Sequence, residues 1–140
     1  MEEGLIGRLV LGRYRIVRRI AKGGMGTIYL ARNEGAAGFV KPVVVKRILP
    51  GSLDESTAIR LFQREARIMS HLRHPGIVDV VDFTHDDDGY IMVLDYVHGY
   101  HLAKWCYFVR KTHDRFPVEP ALHFVISVLD ALHYAHNVTG

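Results

Sequence analysis

The 140 residues, 49% hydrophobic and with a net charge of +3 from 18 basic and 15 acidic side chains, suffice for one packed domain, or a small one plus part of a second, and exclude a disordered chain. So slight a basic excess excludes nucleic acid as a default partner unless the cations concentrate, and the densest run, "RYRIVRR" at 13–19, mixes them with β-formers as a strand with one solvated face does. The single cysteine, Cys106, excludes an internal disulfide framework and suits a reducing compartment; no apolar stretch reaches the ~18 residues that span a bilayer, and "MEEGLIGRLVLG" lacks a signal peptide's layout, so a cytoplasmic location is expected.

In chain order, residues 14–20 alternate as a strand with Tyr14, Ile16 and Ile20 on one side, and after a glycine cluster "TIYLAR" resumes strand character. "NEGAAGFVKP" reads as a loop and "VVVKRIL", 43–49, as a third strand ended by Pro50 and Gly51. The segment "SLDESTAIRLFQREARIMSHL" sets Ile59, Phe62, Ala66, Met69 and Leu72 on one helical stripe. Ser52 and Glu55 have capping-box spacing, and Asp54 and Glu55 suit the positive end of the helix dipole. His74-Pro75-Gly76 stops that helix. "GIVDVVDF" and "YIMVLDYV" then predict two strands joined by "THDDDG", whose Asp88-Gly89 is a hairpin signal. Its three aspartates lack the spacing and the glutamate of a calcium loop and read as a solvated turn. Beyond Gly99 the period turns helical: Leu102, Trp105 and Val109 mark a short helix, and "PALHFVISVLDALHYAH" a second, with Pro120 near its first turn and apolar residues on several sides. The nine histidines show no completed metal set and read as ordinary helix and loop residues.

The glycines carry the chemistry. Gly23, Gly24 and Gly26 stand between two β-rich runs, where glycine weakens a strand unless the backbone must turn or be approached closely. In the Rossmann unit and the P-loop a helix follows such a turn and holds phosphates at its N-terminus. Here a strand follows, no Walker Gly-Lys-Ser/Thr occurs, and what remains is a hairpin flap with a lysine on the next strand, Lys46 in "VVVKR". An ammonium in so apolar a strand needs a partner. Glu65, on the helix stripe between Phe62 and Met69, offers one.

With "RYRIVRRIAKGGMGTIYLAR", "VVVKRI", "FQREARIMSHLRHPGIVDVVDF" and "YIMVLDYVHGYHL" on the page, the chain resembles the N-terminal lobe of a protein kinase, most closely the bacterial eukaryotic-like serine/threonine kinases, from about Tyr14 to His136. The resemblance implies an α+β fold: a protein-kinase-like N-lobe of five antiparallel strands plus helix C, followed by the first two helices of a C-lobe. It implies an N-terminal extension over 1–12, the N-lobe over 13–97 and an incomplete C-lobe from 98 to 140. The implied cofactor is ATP. Its phosphates would meet the loop formed by Ala21, Lys22, Gly23, Gly24, Met25, Gly26 and Thr27, with backbone amides admitted at Gly23 and Gly26. Ile20 and Ile28 would clamp adenine, Lys46 would hold the α- and β-phosphates in an ion pair with Glu65, Asp95 and Val97 would give backbone hydrogen bonds to adenine, and Leu94 would be gatekeeper. Ala21 stands where the family usually has glycine and Val44 where it usually has alanine, differences of a methyl or two that shift binding by ~1–3 kcal/mol.

Neither His-Arg-Asp nor Asp-Phe-Gly, the family's catalytic-loop and metal-binding motifs, occurs in these residues. The expectation is therefore a truncated product or fragment whose complete kinase would use Mg2+ and phosphorylate a protein substrate, the alternative being a non-catalytic nucleotide- or protein-binding module. An uncovered apolar face on the second C-lobe helix predicts self-association.

Overall fold

The fold is that of a computed structural model, which describes residues 5–23, 26–48, 55–87, 89–112 and 117–139. Two compact units divide the chain, one built from residues 1–72 and 78–96 and the other from 73–77 and 97–140.

The first unit is a six-stranded antiparallel sheet and one long helix. Strands β1 (Leu9–Val10), β2 (Tyr14–Gly23), β3 (Gly26–Glu34), β4 (Val40–Arg47), β5 (Val80–Asp86) and β6 (Gly89–Asp95) lie in the order β1-β2-β3-β4-β6-β5. Helix α1 spans Glu55–His71. Five of these strands are the ones expected from the resemblance. The sixth, β1, falls inside the stretch assigned to an N-terminal extension: Leu9 and Val10 pair with Arg15 and Tyr14, Val10 is buried in the core, and Leu5 and Leu11 pack against it.

Alternation along β4 explains the layering. Val43 and Val45 point into a core with Tyr14, Ile16, Tyr29, Ala31, Ile91 and Val93. The opposite face carries a second cluster in which Phe62 and Ala66 of α1 meet Ile48 and Met92, with Met69, Val80, Tyr90 and Leu94 around them. The helical stripe read from the sequence is thus the buried one, since a strand's two faces and a helix's one face leave little choice of partner. Ser52 and Asp54 lie outside the described residues, as does Asp88 of the hairpin that pairs Asp86 with Gly89.

The sheet curls until its two ends meet. Arg13 Nη2 donates to Asp82 Oδ2 at 2.8 Å and the Tyr14 hydroxyl reaches the same oxygen at 3.3 Å, joining the start of β2 to β5. The hydrogen bond to Asp82 raises the Arg13 pKa, and burial, with the Asp82 charge behind it, raises that of Tyr14. Strand β2 departs from the expected alternation. Register shifts between Ile16 and Arg18 and between Arg19 and Ala21 break the period, and Ile20 is 41% exposed instead of sharing the face of Tyr14 and Ile16.

The second unit holds α2 (Leu102–Thr112), α3 (Val118–Thr139) and the 73–77 segment. His74 Nε2 lies 3.1 Å from Asp130 Oδ2, its ring stacks on Tyr134 at 5.2 Å, and the Tyr134 hydroxyl accepts the Arg73 backbone N–H at 2.9 Å. Pro120 is the third residue of α3, where a missing N–H costs nothing. No helix among the described residues is long and apolar enough to cross a membrane.

Candidate nucleotide site

The site grows from the face of β4 that the valine core does not use. Lys46 lies between Ile28 of β3 and Met92 of β6, and Val44 lies between Leu30 and Leu94. Cross-strand neighbours of this kind share one face, so Ile28, Lys46, Val44 and Leu94, four of the residues named from the resemblance, lie together on one half-buried surface.

Across that surface runs α1. The Lys46 ammonium donates to both carboxylate oxygens of Glu65, each at 2.7 Å, with side chains 17% and 37% exposed. The pair expected from two charges in apolar settings is formed. Glu65 reaches it from the edge of the stripe and not from its centre, which is why it keeps the larger exposure.

The glycine hairpin hangs from the other side of β3. Gly23 pairs with Gly26, Lys22 with Thr27 and Ala21 with Ile28; Gly24 and Met25 lie outside the described residues. The two outer glycines differ. A Cβ on Gly26, whose φ is +129°, would stand 2.0 Å from the Arg47 carbonyl oxygen, whereas one on Gly23 would meet nothing within 4 Å. Gly26 is therefore demanded by the packing of β3 on β4. Thr27 is fully buried.

At the far end of the surface, the Asp95 backbone N–H donates to the Asp79 carbonyl at 3.0 Å and its carboxylate pairs with Lys41 at 2.6 Å. What Asp95 can offer a ligand is its carbonyl. Val97 belongs to the second unit and is 71% exposed. Two neighbours of the site have no part in it on the sequence reading, which gives Phe62 to the helix stripe alone. Phe62 sits beneath the Lys46 ammonium, 5.4 Å from it to the ring centre. Arg47, adjacent on β4, is 3% exposed and pairs with Asp86 at 2.6 Å. Phe62 had a signal, its place three residues before Glu65 on the same helix stripe. For Arg47 only the odd-residue parity of β4 could have given its burial.

Curled sheet, glycine hairpin, lysine strand and a helix bearing the lysine's carboxylate partner define the smaller lobe of a protein-kinase-like fold. The chain belongs to the protein kinase domain family, whose model matches residues 14–139. It is 32% identical over 140 residues to the tyrosine-protein kinase MasK of Myxococcus xanthus, covering 99% of this chain and 22% of that protein. Against the serine/threonine-protein kinase PrkC of Bacillus subtilis it is 33% identical over 133 residues, 95% of this chain and 19% of the relative. Among solved structures, the PknI kinase domain of Mycobacterium tuberculosis superposes with a TM-score of 0.69 at 30% identity, over 95% of this chain and 51% of that one. The chain thus spans about a fifth of those two curated relatives and half of a solved kinase domain.

Proposed function

We propose that the first unit grips ATP for a kinase that transfers the γ-phosphoryl group to protein hydroxyls, with serine and threonine as the acceptors. The observation that carries this reading is the Lys46 ammonium held by both Glu65 oxygens on the open face of the sheet, beside the glycine hairpin. A fixed, partly desolvated cation is what a nucleotide's α- and β-phosphates need. Ala21, Lys22, Gly23, Gly24, Met25, Gly26 and Thr27 would cover the phosphates with backbone amides. Ile28 and Val44 would roof the adenine, with Ile20 folding down from its exposed position, Leu94 would bound the pocket, and the Asp95 carbonyl and Val97 backbone would read the adenine edge.

Phosphoryl transfer also needs a residue that orients the acceptor hydroxyl and ligands for Mg2+. Residues 1–140 include neither motif that supplies them, so the activity assigned to this chain itself is nucleotide binding, and transfer belongs to a complete kinase domain. Self-association is part of the same proposal, because Leu122, Ile126 and Leu129 of α3 are 56%, 63% and 59% exposed and apolar surface of that kind favours burial against another chain.

Titrating a fluorescent ATP analogue into the chain tests the reading. Lys46→Met removes the cation and keeps an unbranched side chain one atom shorter; it should raise Kd about tenfold or more, the worth of one charge-assisted contact. Equal affinity in both proteins would refute the assignment. Labelled phosphate appearing on a generic protein substrate with residues 1–140 alone would refute the division between binding and transfer.

A further inference from the structure

The charge of Lys46 has two neighbours, and only one is a carboxylate. Phe62 stands one helical turn before Glu65, and its ring centre is 5.4 Å from Nζ. That ring is 2% exposed and touches Phe83 of β5 at 5.7 Å; Phe83 in turn stacks on Tyr90 of β6 at 6.0 Å. Two strands therefore support the ring from below, and it cannot swing away without vacating the cluster it shares with Ile48, Ala66 and Met92.

The face of an aromatic ring is electrically negative and attracts an ammonium within about 6 Å, more strongly as water is excluded. Lys46 is 17% exposed, Glu65 37%. Glu65 is thus the better screened of the two attractions, and it is the one that must share the ammonium when a phosphate arrives, whereas the ring face makes no hydrogen bond that a phosphate could compete for. We propose that Phe62 is a positioning residue for Lys46: its ring face holds the ammonium on the open side of the sheet independently of Glu65. The proposal rests on the reading of Lys46 as the nucleotide-gripping cation.

An aliphatic substitution would confound this role with packing, so the test keeps the ring's shape and weakens its quadrupole. Phenylalanines carrying one, two and three fluorines are placed at Phe62 of the 140-residue chain by site-specific incorporation. Three quantities are then measured: the thermal midpoint, the Kd for a fluorescent ATP analogue, and the nuclear Overhauser contact between the Lys46 ε-methylene and the two ortho ring protons, which every member keeps when the fluorines are confined to the meta and para positions. The expected result is a stepwise weakening of that contact and a rise in Kd of about fivefold across the series, with the thermal midpoint nearly constant. A contact unchanged by fluorination would overturn the proposal, as would a flat Kd series in a chain that binds nucleotide. If the unmodified chain binds no nucleotide, the proposed function fails, and the Overhauser series alone then decides whether the ring holds the ammonium.

Discussion

Replacing Gly26 with alanine is the sharpest perturbation of this fold, because the new methyl has nowhere to go. Its Cβ would lie 2.0 Å from the Arg47 carbonyl oxygen, 2.9 Å from the Arg47 carbonyl carbon and 3.1 Å from the Ile48 Cα, all backbone atoms that no rotamer change can move. The backbone at Gly26 also has φ of +129°, where a side chain costs about 1–3 kcal/mol before any clash is counted. Relieving the overlap means parting β3 from β4 at the Thr27 to Arg47 pair, with one or two ladder hydrogen bonds lost at about 1 kcal/mol each. The sum, about 2–5 kcal/mol, reaches the upper end for a single substitution and corresponds to a fall in thermal midpoint of about 10 °C or more. Gly23→Ala is the control: its methyl meets nothing within 4 Å and should change stability by under about 0.5 kcal/mol, while crowding bound phosphate and weakening nucleotide binding. Thermal unfolding followed by circular dichroism distinguishes the two. A Gly26→Ala protein that melts within 2 °C or so of the parent, or a Gly23→Ala protein that falls as far as Gly26→Ala, would refute the argument that the packing of β3 on β4 fixes one glycine and leaves the other to the ligand.

The Glu34 carboxylate, bonded to Arg15 at 2.7 and 3.0 Å, has its pKa lowered chiefly by that hydrogen bond. Its folded pKa being below the unfolded one, the pair's stabilisation is complete above the unfolded value and is lost as pH falls through the folded one; Glu34→Gln should therefore match the parent in strong acid and trail it near neutrality, and urea midpoints that differ equally at both pH values would contradict this. The exposed Leu122, Ile126 and Leu129 of α3 should drive concentration-dependent association, read by sedimentation. Leu129→Lys should reduce it, and a parent chain that sediments as a monomer at every concentration would end that reading.

How much of this was legible in the sequence follows from the range of the forces involved. Helix α1 and the lysine strand were readable because period and burial are local: Phe62, Ala66 and Leu72 repeat at helical spacing, and "VVVKR" places every second residue on one face. The Lys46 to Glu65 pair followed from the cost of isolating either charge. Ile20 leaves the face of Tyr14 and Ile16 because two register shifts interrupt β2. The charged Arg18 at the same parity is the one trace of this in the sequence, and it does not fix where the strand shifts, because a bulge depends on what the neighbouring strand demands. Strand β1 escaped notice for a similar reason. Two residues between glycine-rich turns have no period, and Val10 is buried because the curled sheet needs a cover there, a need set by residues far along the chain.

The two uses of β4 constrain each other. Val43, Val45 and Arg47 belong to the buried face, and Val44 and Lys46 to the open one. A slip of one residue against β3 and β6 would carry the ammonium into the valine core and put the valines on the open side. Such a slip is opposed at three points. The valines would lose their burial against Tyr14, Tyr29 and Ile91, Arg47 would lose its bond to Asp86, and the Gly26 close approach, which only the Arg47 backbone fits, would be broken. The position of Lys46 relative to the glycine hairpin is thus fixed by residues that never face a ligand. On the proposed reading, affinity for nucleotide and stability of the sheet are accordingly separable at Lys46, which can be replaced without touching the buried face, and inseparable at Gly26, where the hairpin and the core share a backbone contact.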